Sequence, residues 1–273
     1  MKKREKTLSS MRVETKGAVK LSKVKTNSTT GIKDKQEARE LLAENTAAID
    51  KLQYKLYAES KTALLVVFQA MDTAGKDGVI RKVFGPINPQ GVRVDSFKRP
   101  TAAELAHDYL WRIHMRTPAK GMIGVFNRSH YEDVLVHKVH KLIPGKQLEQ
   151  RYDQLNWFEK HLSQNNTVIV KFFLHISRDE QKERLQARLD DPDKRWKFEM
   201  GDLNERQYWD AYMDAYQAVL DKCSAKHAPW YVIPADNKWY RDWAVSSIIL
   251  QTLKSIDPET PKEEAGLDKV KIE

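Results

Sequence analysis

The stretch Ala70-Met71-Asp72-Thr73-Ala74-Gly75-Lys76-Asp77-Gly78 has the composition of a phosphate cradle. In such a loop, successive backbone N–H groups and a helix N-terminus surround phosphate oxygens, while a lysine neutralises their charge. The usual spelling is G-x-x-x-x-G-K-[ST]. Gly75 and Lys76 fit it, but Ala70 stands at the first glycine and Asp77 at the hydroxyl residue. That hydroxyl ordinarily binds Mg²⁺, and Asp72, inside the loop, offers a carboxylate in its place. Thr73, Ala74, Gly75, Asp77 and Gly78 are therefore the expected phosphate-facing positions, with Lys76 as the neutralising cation. The alternative is an ordinary glycine-containing turn between strand and helix. The strand–loop–helix setting favours the phosphate reading.

A second stretch, Gly121-Met122-Ile123-Gly124-Val125-Phe126-Asn127-Arg128-Ser129-His130-Tyr131-Glu132-Asp133, is an apolar strand that ends in polar and acidic groups. This is the form of a Walker-B edge facing the loop across a sheet. Asn127, Glu132 and Asp133 are candidates for Mg²⁺ and its water shell, because Mg²⁺ takes oxygen ligands and keeps several waters. Arg128 would fork onto a phosphate. A helix cap with a solvated acidic first turn is the competing account of Glu132 and Asp133. His130, His137 and His140 match no zinc spacing and are read as structural.

Two basic stretches remain. Phe97-Lys98-Arg99-Pro100 ends another strand, and residues 177–197 carry Arg178, Lys182, Arg184, Arg188, Lys194, Arg195 and Lys197. Lys182 follows Arg178 by four residues and Arg188 follows Arg184 by four, so each pair shares a helical face. Like charges so placed repel, which is tolerable if a polyanion lies between them. Salt bridges to Glu180 and Glu183 on a solvated helix are the plainer explanation.

The elements that position these groups alternate. Residues 63–69, 92–97, 121–126, 167–174 and 230–233 read as strands, and the first is apolar enough to be buried on both faces of a parallel sheet. Helices are expected over residues 34–61, 76–84, 101–115, 131–140, 146–164, 177–189, 203–222 and 238–256. Thr101 with Glu104 forms a capping box, and Ser177 with Glu180 caps another start. Leu42, Ile49, Leu52 and Leu56 form a stripe that packs onto the parent domain or seams a dimer. The pattern is an α/β domain with a mostly parallel sheet, whose ligands bind beyond the carboxyl ends of the strands.

The chain has 273 residues, 41% hydrophobic and 31% charged, with a net charge of +9. Residues 1–35 hold eleven Lys/Arg against three Asp/Glu, leaving 36 against 35 elsewhere. The basicity is thus a property of an N-terminal tail, expected to be a flexible, solvated arm of the kind that attracts polyanions. Residues 259–273 read as a charged C-terminal tail around a domain at 36–258. The single cysteine, Cys223, excludes a disulfide framework or a Cys-rich zinc site. No apolar run is long enough for a membrane span and no signal peptide is evident, so a cytoplasmic protein without membrane contact is expected.

Met71-Asp72-Thr73-Ala74-Gly75-Lys76-Asp77-Gly78, Asn88-Pro89-Gln90-Gly91, Ser96-Phe97-Lys98-Arg99-Pro100, Asn127-Arg128-Ser129-His130-Tyr131-Glu132-Asp133-Val134 and Trp230-Tyr231-Val232-Ile233-Pro234-Ala235-Asp236-Asn237-Lys238-Trp239-Tyr240, in this order, resemble the family-2 polyphosphate kinases. The resemblance runs over about residues 42–253. It implies a P-loop kinase-like three-layer α/β/α sandwich with a helical lid, at about residues 177–202. It implies Mg²⁺-dependent transfer, with Mn²⁺ as a substitute, between inorganic polyphosphate and nucleotides. The family's Walker-A aspartate and lysine fall on Asp72 and Lys76. The Walker-B acid of its ADP-phosphorylating members falls on Asn127, and the Asn-Arg-Ser-His-Tyr-Glu-Asp spelling is similar to the subgroup that accepts both AMP and ADP. Glu132 or Asp133 would then complete the metal site.

The expected partners are polyphosphate, AMP, ADP and ATP, with guanine nucleotides as further acceptors, and a homo-oligomer is expected. An ATP-dependent nucleotide kinase would share the loop, but the basic segment favours a polyanionic donor. A nucleic-acid-binding protein would need aromatic residues interleaved with the tail's charges, and the tail has none.

Overall fold

The apolar runs become the centre of a six-stranded sheet with strand order β1-β6-β5-β2-β4-β3. The computed structural model describes residues 2–13, 15, 17–267, 270 and 272. The parts of the two expected tails at Met1, Glu14, Lys16, Asp268, Lys269, Lys271 and Glu273 lie outside them. The strands are β1 (Arg12–Val13), β2 (Ala63–Ala70), β3 (Val92–Ser96), β4 (Ile123–Asn127), β5 (Thr167–His175) and β6 (Trp230–Pro234). All neighbours are parallel except β1, which runs antiparallel to β6. Every residue of β2 is buried, as its unbroken hydrophobicity requires of a central parallel strand.

On one face lie α2 (Lys35–Glu59), α3 (Lys76–Phe84) and α11 (Lys238–Ile256). On the other lie α6 (Glu132–Val139), α7 (Gly145–Gln164) and α10 (Trp209–Lys222), giving three layers. Asp34 starts α2 by accepting the Glu37 N–H, and the leucine stripe is used on the parent domain: Ile49 and Leu56 are fully buried and α2 packs along α11. Among the described residues, no helix is long and apolar enough to cross a membrane.

Three expectations need correction. The described residues among 2–35 are not a solvated arm: helix α1 (Lys2–Ser10), β1 and the segment after them send Leu8, Met11, Val13, Leu21 and Ile32 into the core. These apolar residues are too widely spaced to show a period, and a two-residue strand has none. The helix expected over residues 101–115 is two single turns, α4 (Ala102–Leu105) and α5 (Trp111–His114). The Thr101–Glu104 capping box forms, but the Asp108 side chain then accepts the Leu110 N–H at 2.9 Å and opens a new turn. The helix expected over residues 203–222 breaks at Tyr208 into α9 (Met200–Gln207) and α10, because Trp209 turns into the core while Tyr208 stays exposed. Helix α8 (Arg178–Asp190) begins at the Ser177 cap. The residues from 259 to 267 are exposed.

Candidate active site

The loop between β2 and α3 is shaped by two buried arginines, Arg184, which the sequence marked only as a candidate for binding phosphate, and Arg241, which it did not mark. Arg241 of α11 donates to the Ala74 carbonyl at 3.0 Å, and Arg184 of α8 donates to the Thr73 and Ala74 carbonyls, each at 3.0 Å. Gln181 donates to the Asp72 carbonyl at 3.2 Å. With these carbonyls held by side chains from behind, the first amides of α3 keep the free N–H groups that every helix start presents. Thr73 and Gly75 adopt left-handed φ values of 64° and 97°. At Gly75 a Cβ would also meet the Arg241 guanidinium at 2.0 Å, so glycine is required there for both reasons.

At the mouth of this cradle, Lys76 rests its amine on the Ala70 carbonyl at 3.2 Å. Burial, and then the Arg128 charge, pull its pKa below the ordinary lysine value, while Asp72, Glu132 and Asp77 oppose the shift. β4 lies beside β2, so the chain leaving it delivers its polar groups to the same place. Asn127 donates to Asp77 at 2.7 Å, Arg128 reaches Asp72 at 3.1 Å, and Gln69 donates to Glu132 at 2.9 Å. Asp72, Lys76, Asp77, Asn127, Arg128 and Glu132 thus converge.

The turn after β4 is braced from the interior. Lys171, fully buried in β5, donates to Glu159 at 2.5 Å, to the Tyr131 hydroxyl at 2.8 Å and to the Cys223 carbonyl at 2.9 Å. Tyr131 donates to Glu159 at 2.8 Å, and His130 Nε2 lies 3.1 Å from the same carboxylate. Burial lowers the His130 pKa, so the ring stays neutral and structural. His140 faces Glu205 at 3.0 Å, and the three histidines do not assemble a metal site.

Asp133 does not join Asp72 and Glu132, which corrects its assignment to the metal cluster. It lies instead in a cavity of about 480 Å³ whose walls include Tyr109, Arg112, His137, Gln147 and Arg151. Arg151 approaches its carboxylate at 3.7 Å, while Asp133 Oδ2 and His137 Nδ1 are buried without a partner. Burial pushes the Asp133 carboxyl up to about 6, against the pull of Arg151 and Arg112. A carboxyl raised in the folded state contributes stability that is complete below the ordinary carboxylate range and is lost as pH rises through about 6. Thermal melts of Asp133→Asn and the wild type should therefore diverge in the variant's favour between about pH 4 and about pH 7. Parallel curves would contradict this.

The basic residues divide. Arg184 has all five donors engaged: besides Thr73 and Ala74, it meets Glu180 at 2.6 Å, Ala235 at 2.7 Å and Asp236 at 2.9 Å. It holds the loop and is not free for a phosphate, a correction to its expected role. Arg188 faces Asp202 at 3.7 Å, so the Arg184/Arg188 pair is tolerated through carboxylates and needs no anion between. Lys194 pairs with Asp191, Arg195 donates to the Leu189 carbonyl at 2.6 Å, and Lys197 lies over the Trp196 ring. Lys98, Arg99, Arg178 and Lys182 are exposed. Asp202, which the sequence reading missed, has a buried Oδ2 without a hydrogen-bond partner and a pKa raised by burial and by the nearby Asp72 charge. Nothing local distinguishes it from its acidic neighbours.

Among the described residues, no three His, Cys, Asp or Glu side chains form a closed metal site. Asp72 and Glu132 nonetheless fit a divalent cation of the Mg²⁺ type, which uses one or two carboxylates and completes its shell with water and substrate phosphates.

A P-loop at the carboxyl edge of a parallel sheet, with a lysine, an arginine and oxygen ligands around it and helices on both faces, defines a P-loop kinase-like phosphotransferase fold. The chain belongs to the polyphosphate kinase 2 family, whose model matches residues 32–261. It is 50% identical over 263 residues to a Meiothermus ruber protein named AMP/ADP-polyphosphate phosphotransferase, covering 96% of this chain and 98% of that one. It is 48% identical to a Rhodopseudomonas palustris ADP-polyphosphate phosphotransferase over 84% of this chain and 83% of that one. The crystal structure of polyphosphate kinase 2 from Arthrobacter aurescens TC1 superposes with a TM-score of 0.92 at 46% identity, covering 94% of this chain and 93% of that one.

Proposed function

We propose that this protein transfers the terminal phosphoryl group of inorganic polyphosphate to AMP and ADP, forming ADP and ATP, with Mg²⁺ as the divalent cation and Mn²⁺ able to replace it. Guanine nucleotides are further acceptors. The observation that carries the reading is the convergence of Lys76, Asp72, Arg128 and Glu132 on one loop mouth, with a polar cavity lined by Asp133, the residue after Glu132. The names of the close relatives support the same chemistry.

Phosphoryl transfer needs alignment and charge neutralisation more than covalent chemistry. The cradle amides and Lys76 bind the donor's terminal phosphate, while Arg128 neutralises the oxygens that gain charge. The acceptor's nucleoside enters the cavity beside β4, where Asp133 Oδ2 and His137 Nδ1 meet its hydroxyl or amino groups. Its terminal phosphate oxygen attacks the donor phosphorus in line. The new O–P bond forms as the old one breaks, and the shortened chain leaves with the bonding electron pair. Asp72 and Glu132 would hold the cation, which would supply neutralisation of phosphate charge when bound. Transfer is direct, so no acid-labile phosphohistidine accumulates on turnover.

The test is nucleotide analysis after incubation with Mg²⁺, long-chain polyphosphate and either AMP or ADP, with Asp72→Asn as control. ADP and ATP are expected from AMP, and ATP from ADP, with a silent control. Product from ADP alone would overturn the dual acceptor range. Product only when ATP replaces polyphosphate would identify an ordinary nucleotide kinase.

A further inference from the structure

The basic N-terminal segment and the start of α11 build a feature that the transfer reaction as described does not use. Helices α2, α3 and α11 enclose a cavity of about 190 Å³ lined by Lys35, Arg39, Lys82 and Lys238, with Trp239 and Asp242. Asp242 is already neutralised by Arg241 at 2.6 Å. None of the four cations forms an ion pair among the described residues.

Three of these positions, those of Lys35, Arg39 and Lys238, are electrostatically unfavourable without a ligand. Lys35 is the first residue of α2 and Lys238 the first of α11, where the helix dipole disfavours a cation. Lys35 and Arg39 also stand four residues apart on one helix, a spacing at which like charges repel. Burial, followed by the charges of Arg184 and Arg241, depresses the Lys238 pKa.

The cup is fixed relative to the cradle. Arg241, one turn along α11 from Lys238, is one of the two arginines that hold the Ala74 carbonyl. Asp236, just before α11, accepts from Thr26 at 2.6 Å and from the Ser177 N–H at 2.8 Å. Asn237 donates to the Asn27 carbonyl at 3.1 Å, and Tyr240 to the Thr30 carbonyl at 2.8 Å. The N-terminal segment is thereby clasped against the start of α11, and it leads directly into Lys35.

The layers supply the direction. The polar cavity assigned to the acceptor lies among residues 100–112, α6 and α7, whereas the cup lies among α2, α3 and α11 on the other face of the sheet. In-line transfer requires the acceptor and the leaving chain on opposite sides of the phosphorus.

We propose that this cup binds the distal phosphates of a long polyphosphate donor, so that Lys35, Arg39, Lys82 and Lys238 select for chain length while the cradle handles the reacting end. The proposal rests on the polyphosphate reading above and adds a site to it. A bound polyanion would relieve both the like-charge repulsion and the dipole penalty.

The test compares wild type with the triple variant Lys35→Ala/Arg39→Ala/Lys82→Ala, all exposed positions, using long-chain polyphosphate and tripolyphosphate. KM and directly measured Kd for the long chain are expected to rise about tenfold, with a shallower salt dependence. Tripolyphosphate constants should stay unchanged. Unchanged long-chain constants would overturn the inference, and so would an equal rise for both donors. Loss of single-stranded RNA binding with polyphosphate binding intact would also overturn it, by identifying a different polyanion. The binding arm decides the inference even if neither nucleotide is phosphorylated, a result that would count against the proposed reaction instead.

Discussion

Asp72→Asn and Lys76→Ala should each lower kcat by about a thousandfold, the scale on which a single preorganised electrostatic contact acts in a transition state, with the melting temperature nearly unchanged. Lys76 makes one described hydrogen bond, to the Ala70 carbonyl, and that carbonyl ends a strand whose ladder does not depend on it. The amine is thus poised for a group outside the protein. Asp72 faces Arg128 across a partly exposed gap of 3.1 Å, and such pairs contribute at most about 1 kcal/mol to stability. Asparagine keeps the side-chain shape and one acceptor oxygen while removing the charge that a divalent cation needs. Steady-state kinetics at saturating donor and acceptor, run beside thermal melts, check the expectation. Near-normal rates in either variant would remove that residue from the chemistry. Loss of activity with a collapsed melt would show instead that the loop had been disrupted.

Lys171→Met gives the complementary result, a stability loss of about 4 kcal/mol, because it strands the Glu159 carboxylate in a dry interior. Lys171 and Glu159 are 0% and 1% exposed. The ammonium answers the carboxylate, the Tyr131 hydroxyl and the Cys223 carbonyl together, so its loss leaves three buried groups without that partner. For a chain of this size the melting temperature should drop by about 10 °C. Lys171→Met/Glu159→Leu should recover only part of the loss, since it removes the stranded charge but leaves the Tyr131 hydroxyl, the Cys223 carbonyl and His130 Nε2 without these partners. If the double variant were as unstable as the single one, the network as a whole would be required. Equal melts for wild type and Lys171→Met would mean that Glu159 takes up a proton without penalty.

Much of the architecture was legible in the residues. Strands such as β2 and β5 must bury both faces, so their apolar runs identify them without any partner in view. The cradle was also legible despite Ala70 and Asp77, because Gly75 and Lys76 sit at a strand-to-helix junction where a lysine and free amides act on the same anion. Asn127, Arg128 and Glu132 follow an apolar strand, and that local context placed them at a strand end. The resemblance named the family on the order of several such motifs.

What the residues did not reveal depends on contacts far apart in the chain. Arg184 looked like a free cation of a basic segment, yet its guanidinium closes on carbonyls from residues 73, 74, 235 and 236. Asp133 neighbours Glu132 in sequence, but successive residues of a helix point in different directions, and α6 turns it toward Arg151 and the second cavity. The N-terminal segment looked solvated because its few apolar residues are irregularly spaced, and only the exposed groove beside β6 and α11 gives them a surface to cover. Sequence determined the five parallel strands, the cradle and its charge, since these follow from local hydrophobicity and residue type. Tertiary structure decided which charges face a ligand and which face the protein, because that depends on hydrogen-bond partners that no local pattern specifies.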